Sequence, residues 1–491
     1  MSSIESTDAQ RREDFRRSLL SHAATISVAF VVAASAVLAN PFRFEEAAGQ
    51  RGREIFYQVI AAQTRPPAAA RAPLPGAVVV NIDDEFIRKA SFRDASGHER
   101  KYVWPLSYEQ HAVFLQAIAA RKPAALFIDM PFVYDRDDAT LGELIDVLEA
   151  TSKTIPIFLA AVEADDHKPA IDPILDLVAR DPNIHLVSVR RGASLGIGHA
   201  YPIHPSLNAE SKPLQPAAVA LYNAFRGDRS AFRPRYDTDA MDIWWTLPRK
   251  DPDPNKKPFN CRGQEVRMAC DLIGANWFTW IETLTQAGFL SERPPGSPRL
   301  TIPATPTLSV RDLVLPGEDA AFVDDALKGK VVFYGSDLIL MGDHEVSAVH
   351  GPLPGVQAHA AAYSNLADME GGYITTAAPF NLNQRVHLAG LLLILCLAGF
   401  AARAGATWVS YRNGRPLKPD SRVFGYLDTA VLSTTAVTLA AGEFFLLHIG
   451  PISWFPVLLI AMAGDLLASH GLTASLLGLI NRLPRMRAAP A

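Results

Sequence analysis

Carboxylates are the side chains whose placement in this sequence most suggests a working site. Asp83 and Asp84 close the apolar run Ala77-Val78-Val79-Val80-Asn81-Ile82, Asp129 closes Ala124-Ala125-Leu126-Phe127-Ile128, and Asp343 lies beyond Lys330-Val331-Val332-Phe333-Tyr334-Gly335. Acids at the carboxyl ends of parallel strands stand where open α/β sheets hold ligands. Several together could coordinate a hard cation or hydrogen-bond a polar ligand. The same residues serve equally well as helix caps and turn formers, because a short carboxylate accepts from nearby backbone amides. A hydrolase would use Asp129 as a nucleophile, or a metal-bound water near Asp83 and Asp343. Asp129-Met130-Pro131-Phe132 has no second acid two positions on, so it carries no phosphatase signature.

Other reactive side chains are less ordered in their spacing. Gly192-Ala193-Ser194-Leu195-Gly196 fits the pattern of a nucleophile elbow, but an elbow needs a helix directly after the serine. Gly198 and Pro202 follow instead, which predicts a flexible turn. His344, His350 and His359 have no metal-ligand spacing, and His359 falls on a predicted helix, where a buried, hydrogen-bonded imidazole is expected. Cys261 and Cys270 bracket a short polar segment, and either a disulfide or two free thiols fits them. No catalytic residue, metal ligand or cofactor is assigned.

The elements that must position the acids alternate. Apolar runs at 77–82, 124–128, 155–159, 183–189 and 330–335 read as buried strands, and helical spacing runs through 107–120, 141–150 and 356–367. Buried strands alternating with amphipathic helices predict a mainly parallel sheet with helices on both faces. Residues 192–298 break this rhythm and read as loops and a small irregular cap. Its tryptophans, Trp244-Trp245 and Trp277-Phe278-Trp280, are expected in a core rather than in an exposed partner patch.

The average composition is uninformative: a net charge of −4 gives no case for nucleic acid. Its distribution is not. Residues 19–39 carry no charged side chain apart from a titratable His22, and about 20 apolar residues cross a bilayer as a helix. Arg11, Arg12, Arg16 and Arg17 precede them, which keeps residues 1–18 in the cytoplasm. The run exceeds a signal-peptide core of about 7 to 15 residues, so it reads as a retained anchor.

Further apolar runs occupy 386–402, 427–449 and 453–469, with basic segments at 403–426 and 470–491. Four transmembrane helices, one N-terminal and three C-terminal, satisfy every charge bias and put residues 40–385 outside the cytoplasm. Asp428, Glu443 and Asp465 interrupt the last helices; ionisable groups at such depth face other helices or water. For Glu443, a lone acid with no facing base in view defines no proton path, so a packing contact or snorkelling to the interface is expected.

Val78 to Glu85, Trp104-Pro105 and Ala125 to Asp129 resemble the opening of the type 2 CHASE domain, an extracellular sensory domain associated with cyclases and histidine kinases. Leu327 to Ser336, Gly342-Asp343 and Pro354 to Ala360 resemble its close. The likeness covers roughly residues 45 to 375, with the middle hundred poorly matched, and the layout of one anchor, an external domain and three crossings is similar too. Such proteins normally continue into a cytoplasmic output module. Here about twenty residues follow Ala468, too few for a catalytic core.

The resemblance therefore implies a non-enzymatic sensory or regulatory protein of a bacterial inner membrane. It would bind an extracellular or periplasmic ligand and pass the signal through its helices to a separate membrane or cytoplasmic signalling protein. Sensors of this type often act as homodimers. A structural subunit of an envelope complex and a periplasmic hydrolase are the competing classes.

Overall fold

The structure, a computed structural model, describes residues 2–39, 56–57, 61, 73–93, 96–133, 138–161, 170–189, 200–207, 213–227, 232–235, 240–246, 304–314, 320–338, 344–347, 349–376, 384–413 and 422–448. Asp343, Ser194, Cys261, Cys270, the Trp277-Phe278-Trp280 cluster, Asp465 and the expected crossing at 453–469 lie outside the described residues. The chain divides into two compact units, Ile55–Thr376 and Met1–Glu54 with Ala377–Ala491.

The first unit is an α/β domain. Its strands are β1 (Ala77–Asp83), β2 (Ser91–Arg93), β3 (Glu99–Lys101), β4 (Ala125–Ile128), β5 (Ile157–Ala161), β6 (Ile184–Ser188), β7 (Ala200–Pro202), β8 (Ser206–Leu207), β9 (Pro213–Leu214), β10 (Ala240–Asp242), β11 (Thr307–Ser309), β12 (Val331–Asp337), β13 (His344–Ser347), β14 (Gly351–Pro354) and β15 (Ile374–Thr375). Six of them form the central sheet, in the order β11-β1-β12-β4-β5-β6, and every pairing in it is parallel. β1 is buried along nearly its whole length, as a central parallel strand covered on both faces must be.

The crossovers explain which helices lie where. β1 to β4, β4 to β5, β5 to β6 and β11 to β12 all step across the sheet in one direction, and right-handed crossovers then put their helices on one face. Helix α2 (Asp84–Lys89) follows β1, and the other connecting helices on this face are α3 (Tyr108–Ala119), α4 (Leu141–Ser152), α5 (Asp172–Arg180), α7 (Val310–Val314) and α8 (Ala320–Leu327). Their buried residues, among them Phe114, Leu148, Leu177, Leu313 and Leu327, pack with Val78, Val80, Ile82, Leu126, Ile128, Val332 and Tyr334 in one core. Each such apolar side chain, fully buried, contributes about 1.5–3 kcal/mol. Ser107 starts α3 with a full capping box, exchanging hydrogen bonds with Gln110.

The opposite face is covered by α6 (Ala217–Arg226) and α9 (Gly355–Asp368), which pack on each other. Phe127 lies against His359, and Phe333 against Tyr363. At Gly335 a Cβ would come within 2.8 Å of Val356 Cβ, so only glycine lets α9 seat on β12. The sequence reading of 192–298 as an irregular cap needs correction here. Residues 217–226 are a regular helix on the main sheet, and β7 and β10 join β15 in an antiparallel sheet. At ten residues, between Pro216 and Gly227 and flanked by turn-rich segments, this helix was hidden by its surroundings and not by its own apolar face.

In the second unit, α1 (Ser2–Ala39) packs with α10 (Gln384–Arg412), and α10 with α11 (Arg422–Gly442). Phe15 meets Tyr411 with ring centroids 5.2 Å apart, and His22 Nε2 lies 3.1 Å from Thr407 Oγ1, so α1 and α10 run antiparallel. Helix α11 ends in a π-helical turn, Glu443–Leu447. Among the described residues two stretches, Gly390–Arg412 and Ala430–Leu447, are long and apolar enough to cross a membrane. Their outer faces expose Leu393, Ile394, Leu397, Val437 and Leu446, which suits a hydrocarbon solvent better than water.

Candidate functional site

Of the acids singled out from sequence, the carboxyl edge of the central sheet gathers Asp83, Asp84 and Asp129, and it adds one more. Asp83 ends β1 and Asp129 follows β4, while Asp337 ends β12 between them, in register with Asp83. All three share the strand parity of Val79, Phe127 and Phe333, hence the face that α9 covers. The apolar run ends at Gly335 while the strand continues through Asp337, so this acid has no apolar signal beside it in the sequence.

Asp83 caps α2: its Oδ1 accepts from Phe86 N at 2.6 Å. Burial pushes its pKa up from the ordinary carboxylate value, with Asp337 and Glu85 adding to the rise. Hydrogen bonds from Ser309 and the Phe86 amide pull the other way and are outweighed. Asp84 opens α2, and its backbone carbonyl accepts from Arg88 Nε. Asp337 faces His344, with Nε2 3.3 Å from Oδ1.

Asp129 belongs to a second group. His359 Nε2 lies 3.9 Å from Asp129 Oδ1, with both side chains under a tenth exposed. On its other side His359 Nδ1 is 2.7 Å from Tyr201 Oη, and that oxygen accepts from Ala218 N at 3.1 Å. Tyr201 thus bridges the Ala218 amide and the His359 ring, whose other nitrogen is turned toward Asp129. Burial, with the Asp129 charge adding to it, raises the Tyr201 pKa far above its usual value, so the phenol stays protonated. Tyr201 had no signal in the sequence, since it arrives from a three-residue strand in the irregular stretch.

The histidines considered for a metal therefore stand apart: His344 on Asp337, His359 between Tyr201 and Asp129, and His350 edge-on to Trp245 at 5.9 Å. Among the described residues no three of His, Cys, Asp and Glu are grouped as a metal ion requires. The carboxyl edge pairs its charges internally.

In the helical unit the structure supplies the partner that Glu443 lacked. His387 Nε2 is 2.9 Å from Glu443 Oε1, joining the start of α10 to the π-helical turn after α11, and both side chains are mostly buried. The two residues are far apart in sequence and meet only because the helices pack antiparallel with matched length. Asp428 lies on α11.

A parallel α/β domain joined to a helical unit with two stretches apolar enough to cross a membrane defines a class of membrane-associated α/β proteins. The chain belongs to the CHASE2 domain family, whose model matches residues 28–401. That span includes the whole six-stranded sheet and reaches into α1 and α10. The search of curated proteins returned no match, and neither did the search of solved structures.

Proposed function

We propose that this protein is a membrane-anchored sensor: its α/β domain lies outside the cytoplasm, binds a ligand there, and shifts the packing of four transmembrane helices that a separate protein reads. In this reading the chain has no catalytic activity of its own. The observation that carries it is the CHASE2 match, which embraces the α/β domain and continues into apolar helices on both sides. The basic residues around the apolar runs support the orientation, and the buried His387–Glu443 pair gives two helices a polar contact sensitive to their register. A displacement carries information only if the ligand binds two arrangements with different affinity.

The test is topological and biochemical. Reporter fusions after Gln63 and Asp368 are expected to report the outside, and fusions after Asn413 the cytoplasm. Crosslinking in native membranes should recover a second signalling protein in the same adduct as full-length chain. Fusions at 63 or 368 that read cytoplasmic would overturn the reading; adducts containing only this chain would remove the separate partner.

A further inference from the structure

An acid inside a membrane helix becomes a candidate proton site when a base faces it across a helix contact, and Glu443 has such a base. Its Oε1 lies 2.9 Å from His387 Nε2, and the two side chains are 9% and 13% exposed. Glu443 opens the π-helical turn Glu443–Leu447, and His448, at a left-handed φ of 54°, closes it with its amide donating to the Glu443 carbonyl. A π turn interrupts the regular α ladder, and single turns of this kind recur at functional sites. A bulky residue at positive φ adds strain, so the end of α11 keeps this shape only while its surroundings hold it. The ion pair with His387 is one tie that does so.

In the orientation proposed above, the pair lies at the outer end of the bundle, where the described helices bring few other charges. Helix α1 has no charged or titratable residue after His22, the outer half of α10 has Arg385 and His387, and the outer half of α11 with its turn has Glu443 and His448. Arg403 and Asp428 fall in the inner half, as does the contact of His22 Nε2 with Thr407 Oγ1. About twenty residues of α10 separate His387 from Thr407, or roughly 30 Å along a helix, which is the thickness of a hydrocarbon core. Between them the buried side of α10 is apolar at Leu391, Leu392, Leu395 and Cys396. Among the described residues no titratable chain joins the two ends, so a proton that reaches Glu443 from outside leaves the same way.

We propose that the His387–Glu443 pair is a proton-binding site that reads acidity outside the cytoplasm, and that the contact between α10 and the end of α11 loosens when Glu443 takes up a proton. The inference rests on the membrane orientation proposed above and gives the sensor a second input, received in the helices and not in the α/β domain. Near neutral pH the carboxylate attracts the imidazole N–H whether or not the ring is charged. A proton from water on the Glu443 carboxylate cancels its charge and leaves a protonated imidazole buried without a counter-charge, which favours separation of the two. Acid therefore opens the contact. Alkaline conditions do not, because the neutral imidazole still donates to the carboxylate.

Hydrogen exchange followed by mass spectrometry tests this on the full-length protein in lipid nanodiscs, at about pH 7.5 and about pH 5, with rates corrected for the intrinsic pH dependence of exchange. In the wild type, protection of the amides of residues 443–448 should fall by at least about tenfold in acid, because loss of a facing charge at this range shifts an equilibrium by that much. Glu443→Gln is uncharged at every pH, as the protonated acid is, and should show the low protection under both conditions. His387→Gln removes the charge that protonation strands and should flatten the response as well, which keeps the test decisive if Glu443→Gln fails to fold. Equal protection at the two pH values in the wild type, or a wild-type acid response in either folded variant, would overturn the site. The exchange result is read without the fusion assay, so the proton site and the sensory reading can fail separately.

Discussion

At the carboxyl ends of β1, β12 and β4 the titratable side chains find partners within the protein, whereas near the amino end the Trp245 N–H is buried without an acceptor. The first region has three acids and two histidines and looks like a site when residues are counted. Asp83 caps a helix, Asp337 faces His344, and Tyr201, His359 and Asp129 form one chain of contacts. Density of ionisable groups thus marks where loops are tied down.

The strongest way to break this contrast is to disturb both ends at once. α9 carries His359 toward one edge and Ala361 to Asp368 toward the other. Gly335→Val should push it off β12 and cost about 3 kcal/mol through overpacking, seen as a lower unfolding midpoint. An unchanged midpoint would mean that the close seat of α9 on β12 is not needed.

Tyr201→Phe removes the acceptor of the buried Ala218 amide and the hydrogen-bond partner of His359 Nδ1, for an expected loss of about 2 kcal/mol by chemical unfolding. An unchanged unfolding midpoint would mean that this buried chain of contacts does not hold the edge together.

Asp83 sharpens the comparison through pH. Asp83→Ala should cost about 1 kcal/mol for the lost cap. Asp83→Asn keeps an acceptor for Phe86 N and does not titrate. Folded Asp83 holds its proton more tightly than the unfolded chain, so its contribution is complete below the ordinary value of 3.8 and is lost as pH rises through the raised folded value. Wild type should therefore lose stability relative to Asp83→Asn as pH rises across that window. The opposite slope would mean that a cation stabilises the carboxylate, which would make the acidic edge a binding site after all.

The smallest effect is expected at the surface. Arg121 Nε and Asp324 Oδ1 are 3.0 Å apart, but Asp324 is 63% exposed. Asp324→Asn should change the unfolding free energy by less than about 0.5 kcal/mol, less still in high salt.

Four of the longer strands were legible from their apolar runs, the mark of burial on both faces, and the edge strand β6, only partly buried, from its shorter run around Leu186-Val187. β11 was not, since three residues, Thr307-Leu308-Ser309, give no period to detect. Strand order was also hidden: nothing local says that Val331–Asp337 belongs between β1 and β4. The acids were visible from their position after strands, but whether an acid caps, pairs or binds depends on partners far along the chain, as with Asp129 and His359. Glu443 shows the same limit, as its partner His387 is specified by helix packing and not by spacing. Trp245 was visible as a core tryptophan; that its nitrogen lacks an acceptor while Trp244 reaches Ala61 is a property of the folded backbone alone.

β12 pairs with all seven residues of β1 on one side and with four of β4 on the other, yet it is the last of the six strands to be synthesised. During synthesis, the facing edges of β1 and β4 stay without their partner until some two hundred further residues have been added. Such long-range closure is slow and leaves exposed edges open to mispairing. A chain stopped before residue 331 would lack the middle of its sheet, so no fragment ending there can serve as a smaller, independently folding version of the domain.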